Sequence, residues 1–162
     1  MMLESGNDAA NACALYLGKS FDGFSSMMNT KCKEIGMMDT NFVTPSGLDD
    51  VRHYSTAYDM ALLGAYSIGN PLFREICSAK KYKVDFIKPD ITLNFFNHNK
   101  LLSLCEGVFG IKTGFTKKSG RCLVSACERD GATLVCVTFN AGDDWHDHSQ
   151  LSRGFGRKLL SH

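Results

Sequence analysis

Two short runs carry side chains suited to moving a proton and holding an anion: Ser5-Gly6-Asn7 near the start of the chain and Lys112-Thr113-Gly114 in its last third. An ammonium offers three donors and a point charge, and a hydroxyl both donates and accepts. Either run alone is weak, because Ser-Gly-Asn commonly marks a turn or cap and Lys-Thr-Gly an exposed strand or loop. Ser5 and Asn7 fall at the edge of a helical pattern, so capping exposed N–H groups is a competing role for both. His146-Asp147-His148 is the other polar cluster. Two His at i and i+2 do not share a helix face, so it reads as a solvated helix start and not as a metal site.

The elements that must position these runs follow from periodicity. Ala9, Ala10, Cys13, Ala14 and Leu17 recur at helical spacing and predict a helix over 8–17, stopped by Gly18. A second helix over 22–35 would bury Phe24, Met27, Met28, Cys32 and Ile35, with Lys31, Lys33 and Gly36 at its end. Residues 40–50 read as loop. Thr56 and Asp59 open a third helix with a face of Ala57, Met60, Ala61 and Ile68, and Asn70-Pro71 opens a short fourth one to about 76. Alternation then takes over at Tyr82, Val84 and Phe86, whereas 91–104 fits neither period because Asn94, Asn97, His98 and Asn99 interrupt it. Strands are predicted over 108–116, 122–127 and 133–139, the last two joined by an Asp130-Gly131 turn, with a closing helix over 146–160 that Gly154 and Gly156 weaken. Alternation along 108–116 puts Lys112, Gly114 and Thr116 on one face and Thr113 and Phe115 on the other.

Composition narrows the function. With 162 residues and 44% hydrophobic content the chain can bury a core, and 18 Lys and Arg against 17 Asp and Glu leave a formal charge of +1. No single-sign block offers a nucleic-acid surface, and no apolar run has the length of a membrane span. The 7 cysteines are odd in number and hold no Cys-x-x-Cys, so they read as free thiols, with Cys13, Cys32, Cys122 and Cys136 as small buried hydrophobes.

Longer segments around the two runs sharpen the reading. Ser5 to Ala10, Lys33 to Met37, Gly47 to Asp50, His53 to Ala61, Asn97 to Leu102 and Gly110 to Thr116 together resemble the penicillin-binding D-alanyl-D-alanine carboxypeptidases, in order and over nearly the whole chain. That family attacks with the serine of a Ser-x-x-Lys motif and pairs it with Ser-x-Asn and Lys-Thr-Gly motifs. The resemblance implies an α+β serine β-lactamase/DD-peptidase-like fold: a helical lobe over about 1–77 and an antiparallel sheet lobe with a closing helix over about 78–162, incomplete at the N-terminus. It implies that Ser5 relays a proton, Asn7 hydrogen-bonds substrate backbone or the catalytic lysine, Lys112 supplies positive potential, and Thr113 binds a terminal carboxylate. Gly114, Phe115 and Thr116 would complete the substrate wall, with the Phe115 N–H as an oxyanion donor. Only Met1 to Glu4 precede Ser5, so the nucleophilic serine and its general-base lysine are expected to be absent.

The expected substrate is a peptidoglycan stem peptide ending in D-Ala-D-Ala, handled without a cofactor or metal and outside the cytoplasm, at the membrane or free of it. β-Lactams are expected to react only if the N-terminal segment is restored. The alternatives are a β-lactamase-like fragment and a non-catalytic D-Ala-D-Ala peptide-binding remnant. Asp143-Asp144-Trp145 stands where many relatives carry an arginine that helps bind the substrate carboxylate. His53 and His98 lie in family-like segments and read as structural hydrogen-bonding residues. Without further strands, one edge of the 133–139 strand should be exposed and the chain prone to aggregate.

Overall fold

Short polar side chains start several helices of the computed structural model, which describes residues 1–159. Ser20 Oγ accepts from Gly23 N–H at 2.9 Å to open α2 (Phe21–Glu34), and Thr56 Oγ1 accepts from Asp59 N–H at 3.1 Å to open α3 (Ala57–Ile68). Asn70 Oδ1 accepts from Phe73 N–H at 3.1 Å and Pro71 takes the first position of α4 (Pro71–Ser78). Each such bond satisfies one of the donors that a helix start leaves without an internal partner, and removing one typically costs ~1 kcal/mol. By contrast α1 (Asn7–Gly18) begins after Gly6 with no side-chain cap, so neither Ser5 nor Asn7 caps it.

After α4 come β1 (Lys81–Phe86), β2 (Ile91–Phe96) and a single turn, α5 (Leu101–Leu104). The segment 91–104 therefore resolves into a strand and a helical turn. Val84 faces Leu93 and Tyr82 faces Phe95 in an antiparallel hairpin that carries its apolar pairs on one side. The main sheet follows, with β3 (Val108–Thr116), β4 (Gly120–Arg129) and β5 (Ala132–Phe139) antiparallel in the order β3-β4-β5. Asp130 and Gly131 make the β4–β5 turn with φ of 50° and 76°, the left-handed backbone that such a tight hairpin requires. The last helix, α6 (Asp144–Leu159), starts two residues before the expected 146; the expected end at 160 lies outside the described residues.

Helices cover both faces of this sheet. On one face Ile111, Val124 and Ala126 pack with Met60 and Ile68 of α3 and Phe73 of α4. On the other, Val108, Leu123 and Cys127 pack with Leu101, Cys105 and Trp145. Full burial of a Leu or Val side chain is worth roughly 1.5–3 kcal/mol, so these two layers hold the sheet. Gly64 sets the approach of α3: a Cβ there would lie 2.9 Å from Val135 Cγ1, so only hydrogen fits. The α+β architecture is the expected one, with α3 and α4 packed on the strands of the main sheet.

Three readings need correction. In α1 only Ala10 and Ala14 are buried, while Cys13 and Leu17 are exposed, because the contact stripe facing α2 is narrower than the apolar spacing suggests. In α2 Cys32 alone is fully buried and Met27 is exposed. Cys122 is only half buried, since it lies near the open end of β4. Among the described residues β5 pairs with β4 alone, which leaves its other edge without a strand.

Candidate active site cleft

A cleft of about 870 Å³ opens at one end of the sheet, lined by Ser5, Gly6 and Asn7, by Lys112 to Thr116, and by the loop from Pro45 to Leu48. The two tripeptides, 107 positions apart in sequence, therefore form adjoining walls. Lys112 Nζ donates to Ser5 Oγ in a short contact and to the Thr113 carbonyl oxygen at 2.7 Å. Burial holds the Lys112 ammonium below its ordinary value. Ser5 reaches the lysine from a left-handed backbone, φ 55°, which a non-glycine residue adopts at a cost of roughly 1–2 kcal/mol. Asn7 lines the cleft as the first residue of α1.

All five residues from Lys112 to Thr116 reach the cleft although a strand alternates its side chains. The reason is topological: β3 is an edge strand, so both of its faces meet the opening. Phe115 is 71% exposed there. Thr116 behaves differently from its neighbours, because its hydroxyl donates to Asp49 Oδ1 at 2.9 Å and accepts from Ser119 N–H at 2.9 Å. Ser119 Oγ donates to the same Asp49 oxygen at 3.2 Å, so the 45–50 loop is tied to the β3–β4 turn.

That loop is positioned from below by side chains that read as unremarkable in sequence. Asn29 pins Phe42 by both its amide groups, with Oδ1 accepting from Phe42 N–H at 2.8 Å and Nδ2 donating to Phe42 O at 2.7 Å. Buried Asp59 accepts from Asp39 N–H at 2.8 Å and from Thr40 Oγ1 at 2.7 Å. His53 Nδ1 accepts from the N–H groups of Val43 and Thr44 at 3.0 and 3.1 Å, and burial lowers its pKa against the pull of Asp50 and Asp49. His53 is thus a structural residue. His98 lines the cleft, with its Nε2 3.5 Å from Glu4 Oε2.

Arg121 is the cleft residue that sequence reasoning missed. It is the second residue of β4, opposite Phe115, and Asp144 Oδ1 accepts from its Nε at 3.0 Å and from its Nη2. The Trp145 ring lies 5.4 Å from its guanidinium carbon. Asp144 raises the Arg121 pKa further above its already high value.

His148 is not on a solvated helix start, as its sequence neighbourhood suggests. It is fully buried, with Nδ1 2.6 Å from Ser125 Oγ and Nε2 3.1 Å from Thr138 Oγ1, which ties α6 to β4 and β5. No group of three or more His, Cys, Asp or Glu among the described residues is placed to hold a metal. The sequence does contain one Ser-x-x-Lys tetrad, Ser78-Ala79-Lys80-Lys81. Ser78 ends α4 and donates to Glu75 O at 3.0 Å, Lys81 begins β1, and neither lines the cleft. The tetrad therefore cannot act as a serine and lysine one helical turn apart.

Comparison with known proteins decides the relationship. The family described as D-alanyl-D-alanine carboxypeptidase matches residues 1–143. This chain belongs to that carboxypeptidase family. The carboxypeptidase DacF of Bacillus subtilis is 31% identical over 153 residues, which cover 93% of this chain and 39% of the relative. DacA of Haemophilus influenzae is 38% identical over 140 residues, 85% of this chain and 34% of the relative. Among solved structures, the Streptomyces K15 DD-transpeptidase superposes with a TM-score of 0.87 at 27% identity, over 97% of this chain and 64% of that one. Penicillin-binding protein D2 of Listeria monocytogenes, solved in a cefotaxime-bound form, gives 0.81 at 31% identity over 96% and 63%. The chain thus spans well under half the length of these curated carboxypeptidases, and the fold it shares with the solved DD-peptidases is the α+β one expected. No helix among the described residues is long and apolar enough to cross a membrane.

Proposed function

We propose that this chain forms the substrate-recognition wall of a serine-type D-Ala-D-Ala carboxypeptidase, acting outside the cytoplasm on peptidoglycan stem peptides. The observation that carries this reading is the Lys112–Ser5 contact in a cleft lined by both tripeptides. In the reaction a serine attacks the penultimate D-Ala carbonyl, the leaving D-Ala takes a proton, and water then releases the acyl group from the serine. Ser5 serves as the relay toward the leaving amine. Its hydroxyl accepts from Lys112 and can donate its own proton to the leaving amine, while the Lys112 ammonium returns a proton to the serine oxygen and becomes the neutral amine. Burial makes that ammonium easier to deprotonate than a free lysine. Asn7 holds substrate backbone, Thr113 receives the terminal carboxylate, and Gly114 with the Phe115 N–H lets the peptide backbone approach the strand. Thr116 keeps the loop over the site through Asp49.

The attacking serine and its lysine are the parts that the described cleft does not contain as a Ser-x-x-Lys pair. The chain alone is therefore expected to bind peptide without acylation. Incubation with a fluorescent penicillin, followed by intact-mass measurement, should give no adduct; a stoichiometric adduct on a serine would overturn this account. Supplying the N-terminal part of a relative in trans should restore labelling, since β-lactams need the same nucleophile. The relatives DacF and DacA are D-alanyl-D-alanine carboxypeptidases, which favours carboxypeptidase over β-lactamase.

A further inference from the structure

The segment after β2 borders two cavities. His98 lines the cleft, whereas its neighbours Asn97 and Asn99 line a second cavity of about 310 Å³ that shares no lining residue with the first. That volume is at the small end of the range for small-molecule sites, about 300–1,000 Å³. Asn97 builds it. Its Nδ2 donates to Cys77 O at 3.2 Å and to Ala79 O at 3.0 Å, its backbone N–H donates to Lys80 O at 2.9 Å, and its Oδ1 accepts from Asn99 N–H at 2.9 Å. One residue thus ties the end of α4 and the approach to β1 to the segment after β2, and brings Lys80 and Lys100 to the same cavity.

The side chains around it are donors in search of an acceptor. No carboxylate lines the cavity, and among the described residues neither Lys80 nor Lys100 forms an ion pair, unlike Lys31 and Lys83. Asn99 is 3% exposed, and its Oδ1 accepts from Leu101 N–H at 3.1 Å, which fixes which way the amide faces. Nδ2 is then left with no hydrogen-bond partner among the described residues. Buried donors are nearly always matched, so this one marks the floor of a site for an acceptor. Ser103 adds a hydroxyl to the lining.

Two ammonium groups, an amide donor and a hydroxyl suit a ligand that only accepts and carries about two negative charges. A phosphate monoester has a charge of about −1.5 to −2 at pH 7 and three acceptor oxygens, whereas a carboxylate brings one charge and two oxygens. We infer that this second cavity binds a phosphate group, held by Lys80 and Lys100 over the Asn99 amide with the Ser103 hydroxyl alongside. The assignment is independent of the peptide reading of the cleft.

The test is a calorimetric titration of the 162-residue chain at neutral pH with inorganic phosphate, glycerol 1-phosphate and acetate. One of the two phosphates is expected to saturate a single site at least ~10-fold more tightly than acetate, and the tighter of them tells whether the natural ligand is free phosphate or an ester. Lys80→Gln and Lys100→Gln, at exposed side chains, should each weaken phosphate by roughly 3–10-fold, while Lys33→Gln on α2 leaves it unchanged. Asn99→Asp keeps the acceptor for Leu101 N–H but turns the donor into a carboxylate oxygen, and should abolish binding. Failure of both phosphates to saturate, or affinity no better than that of acetate, overturns the assignment. So does a Lys33→Gln loss equal to that of Lys100→Gln, even if Asn99→Asp fails to fold; a folded Asn99→Asp chain that binds as tightly as the parent overturns it as well.

Discussion

Two serines of this chain each meet a basic side chain, on opposite sides of the same sheet. Lys112 reaches Ser5 on the wall of an open cleft, whereas His148 meets Ser125 at 2.6 Å between β4, β5 and α6, where both residues are out of contact with solvent. By side-chain chemistry alone the Ser–His couple looks the more reactive. Its surroundings remove that option: Thr138 takes the other imidazole nitrogen, and no substrate can approach. The Ser–Lys couple has the weaker-looking chemistry but faces a volume of about 870 Å³. Access separates a couple that a ligand can reach from one that only ties elements together, more clearly than the residue types do.

The largest expected effect lies on the sealed side. His148→Ala should lower unfolding free energy by ~2–4 kcal/mol, because it opens a cavity and leaves two hydroxyls short of a partner, as urea denaturation would measure. Lys112→Met should change stability by less than ~1 kcal/mol, since it removes a partly buried charge, yet weaken a D-Ala-D-Ala peptide at least ~10-fold. The contrast breaks if Lys112→Met costs as much stability as His148→Ala, or if a folded His148→Ala chain loses peptide binding.

Acid should act on the sealed pair next. Burial holds the His148 pKa below its ordinary value, against the opposing pull of Asp144 and Asp147. The unfolded chain takes up the proton near pH 6.5, about the value of a free imidazole, and the folded chain only at lower pH. Between those points the unfolded state binds more protons, so stability is lost as the pH is lowered, by up to ~1.4 kcal/mol per unit. His53 shifts the same way, so the difference between the parent and His148→Gln isolates the contribution. Denaturation curves from pH 7.5 to 5.0, about the unperturbed His range, should show a shallower fall in the variant; identical slopes would remove His148 from the account.

The smallest effect belongs to the loop over the cleft. Asp49→Ala should weaken peptide binding by roughly 2–5-fold, as expected for losing hydroxyl hydrogen bonds of ~0.5–1 kcal/mol, with unfolding stability barely altered. A larger loss than that of Lys112→Met would make the loop, and not the Lys-Thr-Gly strand, the main binding element.

Much of the fold was legible because its strands alternate and its turns carry their own chemistry. Asp130-Gly131 located the β4–β5 hairpin, and Thr56 with Asp59 located α3. The β1–β2 hairpin was only half legible: Ile91, Leu93 and Phe95 do alternate, but the asparagines that follow blur the pattern. Periodicity could say that α1 is amphipathic but not how wide its contact would be, so Cys13 was placed inside when it lies outside. The two tripeptides announced the cleft through their types and order. Arg121 did not, because its nearness to Thr113 exists only once the β3–β4 turn has folded back, with Thr116 opposite Gly120. His148 was misplaced for a similar reason: its partners come from two strands, and nothing within its own helix marks them.

The tie between the loop and the strand also fixes the mouth of the cleft. One oxygen of Asp49 receives the hydroxyls of Thr116, at the end of β3, and of Ser119, within the β3–β4 turn. Both partners are neutral, so added salt has little to screen at this point. Roof and floor then travel together: any change in the turn's geometry carries the loop with it. The gauge of the opening is inherited from a hairpin, and a substrate must fit a gap set before it arrives.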